Sequence, residues 1–318
     1  MAVSGVSALV IYNPIAGRRR LRRLREVLDR LRAAAVDIDL QPTSARGHAE
    51  RLACDMARAD LVVAAGGDGT INEVVNGLMA ALAQGRTVPP LGLVPLGTAN
   101  VLAREIGLST DAASVTAALL GDAEIAFRPG RLRNAAAQRH FAMMAGIGFD
   151  ADVVGKVDLR LKSLLGRGAY GLASAGRFFA YRPHVFRLAI DGAPFQAASV
   201  VVSRGRHYAG PFIAAPQASL AESQLHVCLF EQPGHLAVLR YGSALLRNAL
   251  PQARGYRVVV ARSVEILGHE AQLVQADGDI VATLPLKVDV AEQAIRLKIP
   301  ASSLARRRMF GDASPTSA

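Results

Sequence analysis

The residues with the clearest chemical signature lie between Leu61 and Asn76, where an apolar run ends in Gly66, Gly67 and Gly69 around Asp68. Glycines let a backbone adopt positive φ and approach a ligand closely, and a following helix directs N–H groups and partial positive charge at an anion. The stretch therefore predicts a strand, a tight turn and a helix that bind phosphate. A carboxylate beside a phosphate indicates a bridging cation or a hydroxyl that must lose a proton, although Asp-Gly pairs are also common in ordinary turns.

The helix after this turn has its own start signal. Thr70 and Glu73 stand at the spacing of a capping box, in which the two side chains pair with each other's backbone N–H groups. We therefore expect the helix to begin near Thr70 and to end at Gly85.

The first 125 residues alternate between apolar strand patterns and helical patterns. This alternation predicts a parallel sheet covered by helices, an α/β domain over residues 1–125. Loops that follow parallel strands gather at one edge of the sheet, where ligands bind. We expect four loops at that edge, those at Asn13, Thr43, Gly66 and Gly97.

Beyond residue 125 the pattern changes to short runs of period two, which predicts a mainly antiparallel all-β domain over residues 126–310. Two hairpins are expected around Asp-Gly turns. One joins His184–Ile190 to Phe195–Ser203, and the other joins Gln272–Ala276 to Asp279–Leu284. Helical exceptions are predicted at 152–181 and 235–249, and residues 311–318 are expected to form a flexible tail.

Charge and composition limit the partners of the chain. The net charge is +11, and eight arginines between Arg18 and Arg32 face only Glu26 and Asp29. This helix could meet an anionic membrane, nucleic acid or solvent alone. Aromatic residues make up only 5% of the chain and no stacking motif accompanies the arginines, so we predict no nucleic-acid partner. With no signal peptide and no apolar run long enough to span a bilayer, the chain is predicted to be cytoplasmic.

Five motifs in order resemble the diacylglycerol kinase-like lipid kinases, a family that includes sphingosine kinases. The motifs cover nearly the whole chain, and their members are Asn13-Pro14 with Gly17, Gly66 to Thr70, Gly97 to Asn100, Gly146 to Ala151, and Asp277-Gly278-Asp279. The resemblance implies a nucleotide-binding α/β domain and a β-sandwich lipid-binding domain, with the active site between them and the last strands returning to the first domain. The first half alone would also suit NAD kinases.

The resemblance assigns a role to each motif. ATP would be lined or held by Asn13, Pro14, Gly17, Thr43, Gly66, Gly67, Asp68, Gly69, Thr70, Ile71, Asn72, Glu73, Gly97, Thr98 and Asn100. Asp68 would lie near catalytic Mg²⁺. Asp279 stands where the family uses a glutamate to accept the proton of the lipid hydroxyl, and a general base must reach within about 3 Å of that proton donor.

The chain departs from the family at its metal sites. Val101 and the Arg128-Pro129 pair replace acidic residues expected near the catalytic metal, which leaves Asp68 with Glu73 and Asp277 as helpers. The family's structural magnesium loop would here use Ser219, Glu222 and Gln224, with Glu-Ser in place of Asp-Gly.

Together these observations predict an ATP-dependent and Mg²⁺-dependent kinase for a lipid hydroxyl, such as that of diacylglycerol or a sphingoid base. The enzyme would bind peripherally to the inner, anionic face of the membrane. A NAD kinase-like enzyme and a catalytically silent nucleotide- and membrane-binding protein remain alternatives. The sequence leaves the choice of lipid, the nucleotide preference and the existence of a homodimer open.

Overall fold

The computed structural model describes residues 5–15, 18–56, 59–148, 184–208, 210–268 and 272–302, without the side chains of residues 18 and 19. The strands in chain order are β1 Ser7–Tyr12, β2 Asp37–Pro42, β3 Leu61–Gly66, β4 Leu91–Pro95, β5 Glu124–Phe127, β6 Gly130–Arg133, β7 Gln138–Phe141, β8 Met144–Ile147, β9 Phe186–Ile190, β10 Ala193–Ala197, β11 Ser199–Ser203, β12 His207–Tyr208, β13 Phe212–Ile213, β14 Leu225–Phe230, β15 Tyr256–Ala261, β16 Ser263–Leu267, β17 Leu273–Ala276, β18 Asp279–Thr283, β19 Leu286–Val290 and β20 Ile295–Lys298. The helices are α1 Arg18–Ala33, α2 His48–Cys54, α3 Asp68–Ala83, α4 Val101–Glu105, α5 Ala112–Leu120 and α6 His235–Leu246, with a 3-10 turn at Leu250–Gln252.

The chain divides into two compact units. The first comprises residues 1–128, 219–221 and 292–318, and the second comprises 129–218 and 222–291. The predicted boundary at residue 125 falls inside β5, which belongs to the sheet of the first unit.

The first unit contains a six-stranded mixed sheet in the order β2-β1-β3-β4-β20-β5. The first four of these strands run parallel to their neighbours, as does β20 to β4, whereas β5 is antiparallel to β20. All six residues of β3 are buried, because this strand lies between two others and under helices. The last strand of the described chain thus completes the first sheet.

Helix packing in this unit follows from the apolar spacing. In α1 the residues Leu24, Val27, Leu28 and Leu31 are buried, which places the arginines on the other faces. Helix α3 comes close to α2 at Gly77, where an added Cβ would lie 2.2 Å from the Glu50 carbonyl oxygen. Only glycine permits this contact.

The second unit contains two six-stranded sheets with antiparallel pairing, in the orders β10-β9-β16-β19-β6-β7 and β15-β14-β11-β8-β17-β18. One apolar core draws residues from both sheets, including Phe141, Leu188 and Val264 from the first and Val202 and Leu229 from the second. This is the arrangement of a β-sandwich.

The prediction of one strand over Phe195–Ser203 is wrong. The chain forms β10 in one sheet and β11 in the other, and it crosses between them at Ala198, whose N–H donates to the Phe230 carbonyl at 2.8 Å. No glycine or proline lies between Ala197 and Val200 to mark the crossing, so the sequence did not show the change of sheet.

Several predictions concern residues outside the described ranges. These are Gly17, the motif residues 149–151, the helical segment 152–181 and the tail 311–318. Within the described ranges, no helix has both the length and the apolar character needed to cross a membrane.

Candidate active site

The predicted nucleotide loops lie at one edge of the first sheet. Because β2, β1, β3 and β4 are parallel, the residues that follow them emerge side by side. Backbone bonds continue the pairing just beyond the strands. The Thr43 N–H donates to the Tyr12 carbonyl at 2.8 Å and the Asn13 N–H to the Ala65 carbonyl at 3.1 Å. Since β2 and β3 lie on opposite sides of β1, the strand order reverses between β1 and β3, the position where open α/β sheets bind ligands.

The glycines of the two turns that are predicted to bind phosphate are required by close packing. A Cβ at Gly66 would lie 2.4 Å from Thr70 Cβ, and a Cβ at Gly97 would lie 2.5 Å from the Gly67 Cα. Gly67 has φ −91°, and neither Gly66 nor Gly97 has positive φ. The expectation of positive φ at this turn is therefore wrong for these three residues. The turns after β3 and β4 pack backbone against backbone.

Asp68 joins the two turns. Its carboxylate accepts hydrogen bonds from the Asn100 N–H at 3.0 Å and from the Val101 N–H at 2.6 Å. Asn100 is the N-cap of α4 and Val101 is its first residue, so their N–H groups have no carbonyl partner in a preceding turn of the helix. The carboxylate predicted to lie near a cation is thus also the group that fixes the second turn against the first.

The second turn is closed by its own side chains. Asn100 has φ 48°, a left-handed conformation that asparagine tolerates, and its amide both accepts from the Gly97 N–H at 2.7 Å and donates to the Gly97 carbonyl at 3.0 Å. From α1, Arg20 donates to the Thr98 hydroxyl at 3.2 Å, and Arg23 donates to the Pro95 carbonyl at 3.2 Å. Two residues of the arginine helix therefore hold the loop predicted to bind phosphate, a role that sequence reasoning did not give them.

The predicted capping box does not form. Helix α3 begins at Asp68 with Gly67 as its N-cap and no side-chain cap, and Thr70 is buried in its first turn. Glu73 instead accepts from the N–H groups of Gly47 and Ala49 at the start of α2, at 2.8 and 3.1 Å. Both carboxylate oxygens of Glu73 therefore hold the start of α2, a contact that the sequence did not predict, and its role as a metal helper stays a prediction.

The remaining predicted nucleotide residues are placed as follows. The Asn13 side chain accepts from the Ile15 N–H at 3.0 Å, which folds the loop through Pro14, and Ile71 is buried on α3. Asn72 is also buried and accepts from the Asn76 amide through its carbonyl and its side chain, at 2.9 and 3.1 Å. Among the predicted nucleotide residues Asn13, Pro14, Ile71 and Asn72, the side chains of Ile71 and Asn72 are therefore buried within the first unit.

Asp277, in the second unit, stabilises a corner of the β-sandwich. Its carboxylate accepts from the N–H groups of Ala142, Met143 and Met144 at 2.6 to 3.1 Å, where the chain crosses from β7 to β8 and changes sheet. The turn itself has φ 48° at Asp277 and 91° at Gly278. Backbone N–H groups at such a corner have lost their sheet partners, and the carboxylate satisfies them. Asp277 is therefore a structural anchor, and its role as a metal helper stays a prediction.

The other Asp-Gly hairpin provides a comparison. Asp191 has φ 47° and accepts from the N–H groups of Arg262 and Ser263, where β15 passes to β16 and again changes sheet. The two turns have the same geometry and the same anchoring role. They differ in the next residue, which is Ala193 in one hairpin and Asp279 in the other. Asp279 is half-buried at the start of β18, and its backbone position is fixed by the anchored turn.

The loop predicted to bind a structural metal makes other contacts in the structure. Ser219 accepts from the Ala221 N–H through its hydroxyl at 3.3 Å. The backbone carbonyls of Glu222 and Gln224 accept from the guanidinium of Arg204, which is fully buried. Among the described residues, no group of three or more His, Cys, Asp or Glu side chains could hold a metal. The sequence signal for Arg204 was an arginine directly after a buried apolar strand.

Comparisons with known proteins agree with this architecture. The model of the diacylglycerol kinase catalytic domain matches residues 7–132, and the model of the YegS C-terminal NAD kinase beta sandwich-like domain matches residues 143–299. A diacylglycerol kinase of Bacillus subtilis (strain 168) is 29% identical over 284 residues, which are 87% of this chain and 91% of that protein. A Pseudomonas aeruginosa (strain UCBPP-PA14) protein named "Probable lipid kinase YegS-like" is 29% identical over 303 residues, 93% and 94% of the two chains.

A solved structure of a diacylglycerol kinase from Bacillus anthracis strain Sterne has the same fold. Its TM-score is 0.70 at 23% identity, over 92% of this chain and 96% of that one. Family models for both halves, matched in order, together span most of the sequence. The chain belongs to the diacylglycerol kinase-like lipid kinase family and is a kinase.

Proposed function

We propose that this protein transfers the γ-phosphoryl group of ATP to a hydroxyl of a lipid such as diacylglycerol or a sphingoid base. The observation that carries the proposal is the pair of turns after β3 and β4, packed together through Gly67 and Gly97 at the N-terminus of α3. The first N–H groups of a helix have no carbonyl partner inside it and favour negative charge. Small residues at this point let a phosphate approach the backbone.

The chain's contribution to the reaction is mainly positioning. Phosphoryl transfer depends on alignment and charge stabilisation more than on covalent participation by the protein. The turns fix the phosphates, and Asp68 keeps the two turns in register through its bonds to Asn100 and Val101. Mg²⁺ bound with the nucleotide would neutralise phosphate charge, and such ions usually keep water and take only one or two carboxylates. Asp68 is the carboxylate at this turn.

Asp279 is the proposed proton acceptor. It would remove the proton of the lipid hydroxyl as that oxygen bonds to the γ-phosphorus, while the bond to the ADP oxygen breaks. Its support is the comparison of the two hairpins, since Asp277 and Asp191 both serve as anchors and Asp279 has no counterpart at Ala193.

The function is tested with γ-labelled ATP, Mg²⁺ and a panel of acceptors: diacylglycerol, monoacylglycerol, sphingosine and NAD. We expect label in a lipid. Label in no product would refute the proposal, and label in NAD alone would refute the lipid assignment. The nucleotide is tested by competition of unlabelled GTP against labelled ATP.

Three matched variants distinguish the proposed catalytic base, Asp279, from the structural anchors Asp277 and Asp191. Asp279→Asn should abolish turnover, because an amide cannot accept the proton of the lipid hydroxyl. Asp277→Asn and Asp191→Asn should both lower the melting temperature, since each removes an acceptor for backbone N–H groups at a corner. Full turnover by Asp279→Asn would remove it as the base.

We also propose that the enzyme binds peripherally to an anionic membrane, where a lipid substrate resides. Helix α6 supports this proposal. It buries small residues and Tyr241 while Leu236, Leu239 and Leu246 are 83%, 55% and 68% exposed along one stripe. Residues 232–264 contain five arginines and no acidic residue. Exposed leucines beside positive charge are typical of a helix that lies in a membrane interface.

Vesicle sedimentation tests this surface. Wild-type protein should bind phosphatidylglycerol vesicles more strongly than phosphatidylcholine vesicles, and a Leu236→Glu, Leu239→Glu double variant should lose most of that binding. Leu267→Glu is the matched control, because Leu267 is 55% exposed on a strand of the same unit. Equal binding by the double variant and wild type would exclude α6 as the contact.

A further inference from the structure

The side chain of Arg204 is buried in a way that calls for an explanation. It follows strand β11, it is 0% exposed, and it is among the largest fully buried side chains of the described chain. A guanidinium remains charged in proteins, and a buried charge needs partners of opposite polarity. Its position is fixed at the backbone, where its own N–H donates to the Met143 carbonyl at 2.8 Å.

The guanidinium lies against a loop of inward-facing carbonyls. One terminal nitrogen donates to the Gln224 carbonyl and the other donates to the Glu222 carbonyl at 2.5 Å. The side chains of Glu222, Ser223 and Gln224 are exposed, so the loop directs its backbone oxygens inward and its side chains toward solvent. Loops that present carbonyl oxygens in this way are typical of sites for hard cations such as Mg²⁺ and Ca²⁺.

The same electrostatics reach the adjacent His226. This histidine is 2% exposed, and burial lowers its pKa, with the Arg204 charge lowering it further and the Glu222 carboxylate opposing both. The charges of Arg204 and Glu222 therefore both act on the pKa of the buried His226 imidazole.

We propose that the Arg204 guanidinium takes the place of a divalent cation at this loop, so that the second unit keeps its fold without a structural metal. A planar guanidinium offers five N–H donors in a fixed fork, which can satisfy several carbonyl oxygens at once. A divalent ion at the same oxygens would be repelled by the buried positive charge. The presence of Glu-Ser where the family has Asp-Gly agrees with this exchange, because the loop no longer needs a metal-binding aspartate.

The proposal predicts how the full-length protein responds to metal without nucleotide. Wild-type melting temperature should be the same in EDTA and in millimolar MgCl₂ or CaCl₂, as should that of Glu222→Gln. Arg204→Ser should melt at a lower temperature in EDTA, because the Glu222 and Gln224 carbonyls lose their donor, and Ca²⁺ should restore part of the loss. Arg204→Lys, which keeps the charge, should lie between the two and show a smaller Ca²⁺ effect.

Two results would overturn the proposal. The first is a saturable rise of the wild-type melting temperature with Mg²⁺ or Ca²⁺ that disappears in Glu222→Gln, which would establish a metal site. The second is an Arg204→Ser protein that is as stable as wild type in EDTA. If Arg204→Ser does not fold, the comparison of wild type with Glu222→Gln and Arg204→Lys decides between guanidinium and metal. These measurements use no substrate, so they are independent of the kinase assay.

Discussion

Replacing Asp68 by asparagine tests whether its carboxylate joins the turns after β3 and β4 as well as acting at the proposed nucleotide site. The carboxylate accepts two backbone N–H bonds, from Asn100 and Val101, and asparagine keeps only one acceptor oxygen while its NH₂ group would face the other N–H. Losing one hydrogen bond to a charged group and leaving its donor unpaired costs about 3 kcal/mol for this half-buried site. That corresponds to a fall of roughly 6–12 °C in the melting temperature of a unit of this size.

The assay is thermal unfolding followed by circular dichroism, combined with titration of ATP in the presence of Mg²⁺. Asp122→Asn is the control, because Asp122 is an exposed aspartate of the same unit and its change should leave both measurements unaltered. An Asp68→Asn protein that melts like wild type but no longer turns over ATP would refute the reasoning. Its carboxylate would then act only on the nucleotide or its metal.

Three further predictions concern Gly97, Glu73 and His140. Gly97→Ala should weaken ATP binding, measured by calorimetry, at least tenfold. The reason is that the added Cβ would lie 2.5 Å from the Gly67 Cα and push the two turns apart. Unchanged ATP affinity would contradict that packing. Glu73→Gln should lower the melting temperature, since Glu73 accepts from the Gly47 and Ala49 N–H groups, and it should reduce ATP affinity less than Gly97→Ala does. A larger loss of ATP affinity in Glu73→Gln than in Gly97→Ala would instead indicate that Glu73 contacts the nucleotide. His140 has a pKa lowered to about 4, chiefly by burial, so stability should fall as pH drops from 6.5 to 4 while only the unfolded state takes up this proton. His140→Gln should reduce that fall, by up to about 3 kcal/mol at pH 4 in denaturant titrations, and an identical pH slope in both proteins would refute the assignment.

The sequence by itself determined much of the first sheet. Strands at Leu61 and Leu91 were predictable because buried parallel strands appear as continuous apolar runs, and the glycine-rich turn after β3 marked the edge that is predicted to bind phosphate. The two Asp-Gly turns were also visible, since few residues other than Asp and Asn precede Gly at positive φ in a two-residue hairpin. These features depend on neighbours in the chain, which a sequence shows directly.

Tertiary structure alone decided which side chains meet. The bonds of Glu73 to Gly47, of Asp68 to Val101 and of Asp277 to Met143 join residues far apart in sequence, and local spacing carries no information about them. The same holds for the change of sheet at Ala198, because no glycine or proline marks the crossing in the sequence. Arg204 shows this most clearly, because arginines are usually exposed and only the fold brought two carbonyls to this buried guanidinium.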